Sequence, residues 1–445
     1  MPKKPFNLPK PVVAICRTLK KNGFSAYLVG GGLRDLILGL PVKDWDLASN
    51  ASPEQVMKLF KKVIPTGLKY GTVTVLIEKV PYEVTTFRRD EEYSDGRRPD
   101  KVTFTNSLEE DLSRRDFTIN ALAYDPLTTE LIDLFGGQAD MKKKLIRAVG
   151  DPLKRFQEDG LRSIRACRFA AKLAFTIEKK TLAAISKTLS MTKKVSAERV
   201  RDELKKTLEA KKPSAGFEYL RKSGALKIIL PELLKGLKVR QPRPYHHLDV
   251  YYHNLAAADA APMDQPLVRL AALFHDLGKP QCKVGMTFYG HDQKSAELAE
   301  KVMARLKFSN AEIKNVCLLI ENHMFNYTRE WTDAAVRRFI RKVGLENLDA
   351  LMALRRSDVA AMQESPGTKY LKELKNRIER IVESQNALSL KFLALDGQAV
   401  MRILKIEPGP QVGHALNYLL EAVLEHPEHN TKPILAKLLD KYEPK

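Results

Sequence analysis

The chain is 445 residues long, 44% hydrophobic and 29% charged, with 75 Lys plus Arg against 54 Asp plus Glu, an excess of +21 that suits polyanions such as nucleic acid. This length exceeds the roughly 250 to 300 residues at which one core stops growing, so about two to four domains are expected, and the composition excludes a disordered or low-complexity chain. No apolar run approaches the ~20 residues of a membrane span, no apolar stretch follows the lysines of residues 1–10, and Cys16, Cys167, Cys282 and Cys317 lack CxxC spacing, so a cytoplasmic protein with reduced thiols and no membrane partner is expected.

In chain order, residues 11–22 predict a helix and Ala26 to Val29 a short strand ending in Gly30, Gly31 and Gly32. A helix is predicted over Leu33 to Leu38. Strand-type runs rich in Val, Thr and aromatics follow at Trp45 to Ala48, Thr72 to Ile77, Tyr82 to Phe87 and Val102 to Phe104. These predict a small mixed α/β head. From Gly150 onward helical periodicity takes over, punctuated by Pro213, Pro231, Pro242 and Pro244. The expected division is a head over 1–145, a helical neck over 146–240, a helical domain over 241–370 and a helical tail over 371–445, with no internal repeat.

Asp44 and Asp46 are two residues apart, which in an extended strand projects both carboxylates from one face. Glu83 adds a third acid if its strand lies alongside. Three hard oxygen donors suit two Mg²⁺ ions in a phosphoryl transfer, one lowering the pKa of an RNA hydroxyl and one neutralising a triphosphate leaving group. A lone DxD is more often a pair of turn and edge acids. Here, however, strand, glycine turn and helix start at Val29 to Asp35 precede it, offering backbone amides, with Arg34 as a bidentate cation, to phosphate oxygens.

Arg114, Arg115 and Asp116, in the run Arg114 to Ala121, set cations beside an acid suited to phosphates and ribose hydroxyls, with a salt-bridged helix start as the alternative. The run Arg155 to Phe169 is helical by period, which puts Asp159, Arg162 and Arg165 on one face. There a carboxylate can accept an exocyclic amine of cytosine or adenine while a guanidinium donates to the neighbouring ring position; a solvated ion pair is the alternative.

Together GGxxRD at Gly30 to Asp35, DxD at Asp44 and Asp46, RRDFTINA at Arg114 to Ala121 and EDxxR at Glu158 to Arg162 resemble the class II tRNA nucleotidyltransferase and bacterial poly(A) polymerase family, whose head is related to DNA polymerase β. Ser196 to Glu203 is similar to the next helical motif. The resemblance implies that Asp44 and Asp46 bind catalytic Mg²⁺ with Glu83 as third acid. It implies further that Gly31, Arg34 and Arg115 hold the triphosphate, that Asp116 meets the ribose, and that Asp159 and Arg162, helped by Arg165 and Arg168, select CTP and then ATP. The partner implied is tRNA, held at its 3′ end and acceptor and TΨC arms.

Phe87 to Asp100 resembles the loop of full CCA-adding enzymes, which enzymes adding only CC lack, and the end over Lys432 to Lys445 resembles a folded helix rather than the basic tail of poly(A) polymerases. Leu395 to Gly397 and Glu407 to Gly413 resemble the tail of longer bacterial members. Ahead of them, His253, His275 with Asp276, His291, His323 and Asp358 resemble, in their order, the HD-type phosphohydrolase signature, and Lys279 stands as in that family. Mixed imidazole and carboxylate ligands favour Mn, Ni, Fe or Co, and a metal-bound hydroxide can attack a phosphate ester. The competing expectation is a folded relic of capping and core histidines. His246 and His247 are expected in the loop before the first ligand helix. The reading this supports is addition of C, C and A to tRNA with an appended phosphohydrolase; the alternatives are a poly(A) polymerase, an enzyme adding the terminal A, or a phosphohydrolase whose head binds RNA.

Overall fold

The computed structural model describes residues 6–91, 101–243, 247–362, 368–383 and 390–442. It forms two compact units, one of residues 1–234 with 305–307, the other of residues 235–304 with 308–445. The expected boundary near 240 falls beside that division, and those near 145 and 370 fall inside the units.

The first unit is organised by a mixed sheet. Its strands are β1 (Ala26–Val29), β2 (Asp46–Ser49), β3 (Val63–Gly67), β4 (Thr72–Ile77), β5 (Val80–Thr86), β8 (Ala123–Tyr124) and β9 (Leu131–Ile132), in the order β3-β4-β5-β2-β1-β8-β9, while β6 (Arg88–Glu91) and β7 (Lys101–Phe104) form a separate antiparallel pair. The amphipathic helix Lys10–Lys21 turns Val12, Ile15, Cys16 and Leu19, spaced by three and four, into one core with Leu47, Val73, Val75 and Val84 from alternate sheet positions. Four apolar side chains at such spacing are enough to dock the helix, each contributing roughly 1.5 to 3 kcal/mol of burial. In the centre, β2 pairs antiparallel with β1 and parallel with β5, setting Asp46 opposite Val29 on one side and Glu83 on the other.

The predicted elements are present with three corrections. First, there is no loop at the glycines: the helix begins at Gly30, not Leu33, and runs to Ile37. Gly30 adopts φ +73°, a region that glycine enters without strain, and so turns the chain from β1 straight into the helix. A Cβ on Gly32 would lie 2.5 Å from the carbonyl oxygen of Asp44, so only glycine lets the segment before β2 lie on this helix. Second, β2 starts at Asp46, leaving Asp44 just outside it, exposed, so the two acids do not alternate along one strand. Third, the helix expected through Arg155 to Phe169 is two helices, Pro152–Glu158 and Leu161–Leu173. Asp159 between them is extended, at φ −144° and ψ 108°, and it does not share a helical face with Arg162 and Arg165. The next residue must be glycine, because a Cβ on Gly160 would stand 2.2 Å from the carbonyl oxygen of Met191. Of the expected loop over Phe87 to Asp100, residues 92–100 lie outside the described residues, as do His246 and Pro244.

The second unit is helical. The helices Val250–Ala260, Pro266–Phe274, His291–Arg305, Asn310–Asn322 and Leu348–Ala360 pack around buried Leu255, Leu270, Leu273, Val302, Leu319 and Leu351. Toward its end the helices Gly397–Leu404, Pro410–Glu425 and Lys432–Leu439 share a smaller core of Val400, Leu419, Leu420, Val423, Leu424, Leu435 and Leu439. No helix among the described residues is long and apolar enough to cross a membrane.

Candidate active site and a buried histidine cluster

In the first unit three acids gather at the exit of β1. Asp46 and Glu83 face each other across parallel strands, and Asp44 joins them from the preceding segment. Burial, then the charge of Glu83, raise the Asp46 pKa to about 6; Arg115 opposes this, and Asp44 adds to it. Like charges gathered on a half-buried carboxylate raise its proton affinity unless a cation is bound, and an all-oxygen donor set fits a hard divalent ion such as Mg²⁺.

Arg115 stands against this group, since a Cβ on Gly30 would meet both its Nη1 and Asp46 Oδ2 at 3.3 Å. Its Nη2 donates to Asp111 Oδ2 at 3.0 Å, and Arg114 donates twice to Asp111 Oδ1, at 3.0 and 2.7 Å. Asp111, 1% exposed, is a residue that sequence reasoning missed; it aims both arginines, and despite burial their charges hold its pKa below the usual carboxylate range. Arg115 Nε is buried without a hydrogen-bond partner. Arg34 is committed elsewhere: buried at 3% exposure, it donates to Asp35 Oδ1 at 2.8 and 2.6 Å and to Asn120 Oδ1 at 2.7 Å. Of the three glycines, Gly31 is the one only half-buried.

The remaining selected residues lie in three sets of ion pairs. Asp116 Oδ2 accepts from Arg165 Nε and Nη2 at 2.9 and 2.7 Å, and its Oδ1 from Asn120 Nδ2 at 3.0 Å and the Phe117 amide at 2.9 Å. Burial opposes its ionisation, but Arg165 and Asn120 prevail and lower the pKa to about 2. Arg162 donates to Glu158 Oε2 at 2.7 Å and to the Arg114 carbonyl at 2.9 Å. Asp159 is held by Arg199, whose Nη2 and Nη1 donate to its two oxygens at 2.7 and 3.2 Å, while its Oδ1 accepts the Leu161 amide at 3.0 Å. Arg168 donates to buried Glu203. Arg34, Arg165 and Arg168 also lie over the ring of Phe169, at 5.0, 5.3 and 4.0 Å from its centre. Arg199, Glu203 and Phe169 carried no distinctive spacing; the motif Ser196 to Glu203 was the signal that contained two of them.

The second unit brings all six expected metal ligands together. His253, His275, Asp276, His291, His323 and Asp358 are 0–7% exposed. Nε2 of His253 lies 3.0 Å from Asp358 Oδ1 and 3.3 Å from His275 Nε2. Nε2 of His275, His291 and His323 stand 3.4, 3.4 and 4.0 Å from oxygens of Asp276. Three rings are locked from behind: Nδ1–H of His275, His291 and His323 donates to the carbonyls of Ala272, Phe288 and Ile320 at 2.7, 2.8 and 2.7 Å. At His291 and His323, whose pKa values burial lowers, a ring with Nδ1–H so engaged turns its Nε2 lone pair inward, as a metal-binding imidazole requires. Burial, and then the charge of His275, push the His323 pKa down to about 3, so that ring is neutral at physiological pH. Asp276 Oδ1 and His291 Nε2 are buried with no hydrogen-bond partner, atoms that a transition metal would satisfy. Lys279 links Asp276 Oδ2, at 2.6 Å, to Gln241 Oε1, at 2.7 Å; Gln241 had no signal in the sequence. His247 is exposed before the first ligand helix.

Similarity to known proteins follows the same outline. Residues 26–147 match the Poly A polymerase head domain, and residues 288–439 match tRNA nucleotidyltransferase domain 2. A CCA-adding enzyme of Enterococcus faecalis is 33% identical over 437 residues, covering 98% of this chain and 97% of that protein. One from Lactobacillus delbrueckii subsp. bulgaricus is 35% identical over 429 residues, covering 96% of each. The crystal structure of Bacillus stearothermophilus CCA-adding enzyme in complex with CTP superposes with a TM-score of 0.75 at 29% identity, over 98% of both chains. With this match running along nearly its whole length, the chain belongs to the CCA-adding enzyme family.

Proposed function

We propose that the protein adds C, C and then A to the 3′ end of tRNA from CTP and ATP, without a nucleic acid template, in the cytoplasm. The observation that carries this reading is the register of Asp46 against Glu83 beside Arg115, in a chain 33% identical along its length to a CCA-adding enzyme. Asp44, Asp46 and Glu83 would hold Mg²⁺, which when bound lowers the pKa of the RNA 3′ hydroxyl and neutralises the leaving pyrophosphate. Arg115, aimed by Asp111, contributes a guanidinium to the triphosphate, together with the Gly31 amide and the fixed charge of Arg34. Asp116 accepts the ribose hydroxyls.

Base choice belongs to Asp159 and Arg162, supported by Arg165 and Arg168. Arg199 and Glu158 hold Asp159 and Arg162 in place, fixing the carboxylate and the guanidinium that would face the base. Cytosine and adenine each offer an amine to the carboxylate and an acceptor to the guanidinium, whereas uracil and guanine mismatch at that edge. The test is incubation with tRNA lacking its CCA end, CTP, ATP and Mg²⁺. Addition of three nucleotides, ending in A, is expected. A homopolymeric A tail would identify a poly(A) polymerase instead, and addition of A to tRNA ending in CC alone an A-adding enzyme.

A second activity rests on the buried cluster. His253, His275, Asp276, His291, His323 and Asp358 would bind Mn, Ni, Fe or Co, which when bound supplies a hydroxide for hydrolysis of phosphate esters. The inward Nε2 atoms of His291 and His323 and the unpartnered Asp276 oxygen support this. Phosphomonoester hydrolysis dependent on added transition metal, and lost in Asp358→Ala, tests it.

A further inference from the structure

Another set of ligating side chains lies far from both sites in sequence. His426, Glu428 and His429 each offer an atom within 4.8 Å of the others. His426 Nδ1 lies 3.1 Å from Glu428 Oε1, and the two imidazoles stack with centroids 4.8 Å apart and planes 30° from parallel. No apolar core explains this gathering, because His426 and Glu428 are exposed. The backbone beneath is held instead. Arg337 donates to the carbonyls of Leu424 and Glu425 at 2.6 and 3.3 Å on one side of the turn. On the other, Asn430 donates to the Phe392 carbonyl at 2.8 Å and accepts the Ala394 amide at 2.8 Å. Within the turn the His429 amide donates to the His426 carbonyl at 2.9 Å, and Pro427 restricts φ.

We propose that His426, Glu428 and His429 form a surface site for a borderline divalent transition metal, Zn²⁺, Ni²⁺ or Cu²⁺, separate from the buried cluster. Two imidazoles and one carboxylate are a donor set these ions prefer over Mg²⁺ and Ca²⁺. A turn already pinned at both ends loses little conformational entropy on binding, which favours affinity. Three protein donors leave coordination positions open to water or an external donor. The site spans the connection between the helices Pro410–Glu425 and Lys432–Leu439, so a bound ion ties the two together. Its exposure makes it readily stripped by chelators, in contrast to the enclosed cluster.

The experiment titrates Zn²⁺ and Ni²⁺ into chelator-treated full-length protein and into the double variant His426→Ala, His429→Ala, by calorimetry, and records Cu²⁺ electron paramagnetic resonance on both. The parent is expected to take up one more equivalent than the double variant, and to show a nitrogen-coordinated Cu²⁺ signal that the variant lacks. Glu428→Gln is expected to weaken that equivalent at least about tenfold while leaving the others alone. Equal stoichiometry and affinity in parent and double variant, or the same Cu²⁺ signal in both, overturns the proposal.

Discussion

Burial, and then the acids around it, raise the Asp46 pKa, and a divalent ion would relieve the crowding of charge. Asp46→Asn keeps the shape and removes the charge. It is expected to lower nucleotide addition at least about a thousandfold while tRNA binding, measured by filter retention, stays within a few fold. Arg199 has a different task, holding Asp159 through both nitrogens of one guanidinium. Arg199→Ala leaves Asp159, the carboxylate proposed to read the base, without this partner, and discrimination of CTP and ATP against UTP, measured by kcat/KM, is expected to fall about tenfold, or ~1.4 kcal/mol. If selectivity were unchanged, Asp159 would be positioned by other groups. Asp116 supplies the pH test. Its folded pKa lies below the ordinary ~3.9 of a free Asp, so its pairing with Arg165 is fully stabilising above that value and is lost as pH falls toward 2. The stability difference between parent and Asp116→Asn, from urea unfolding, is expected to be roughly 2 kcal/mol larger at pH 5 than near pH 2.

At the scale of elements, the break at Gly160 sets the position of Asp159. Ending one helix at Glu158 and beginning another at Leu161 leaves Asp159 on an extended residue, where one oxygen caps the new helix and both meet Arg199. Gly160→Ala would drive a methyl to 2.2 Å from the Met191 carbonyl oxygen. The expected cost is ~1–3 kcal/mol in thermal or urea unfolding, with a higher KM for CTP as the junction shifts. Gly32→Ala at the other glycine contact would push the Asp44 carbonyl away and lower kcat for the same geometric reason. Had helical periodicity alone placed Asp159, neither the capping bond nor the Arg199 pair would form.

For the whole molecule, the division into two compact units predicts two separable metal dependences. Nucleotide addition is expected to require Mg²⁺ and to survive Asp358→Ala, whereas ester hydrolysis is expected to require a transition metal and to survive Asp46→Asn. Loss of both activities in either variant would tie the sites together. The net charge of +21 predicts that tRNA affinity falls steeply with salt, linearly on logarithmic axes, because bound phosphates release counterions.

How much of this was legible in the sequence depends on the range of the interaction involved. The strands around Asp46 and Glu83, the helical second half and the six side chains of the buried cluster were readable, because alternation, helical period and residue chemistry are local properties. The glycine run was readable as a phosphate-type motif, though not as the first turn of a helix, since that follows from the Asp44 backbone lying on Gly32. The single helix expected through Asp159 is interrupted there, where the side chain pairs with Arg199, distant in sequence. Asp111, Phe169 and Gln241 were silent, and Arg199 was visible only within the motif Ser196 to Glu203, because their partners are supplied only by folding. The sequence by itself determined which chemistry the chain carries, and the tertiary structure decided which charge meets which, because pairing among these charges depends on distances that no local pattern encodes.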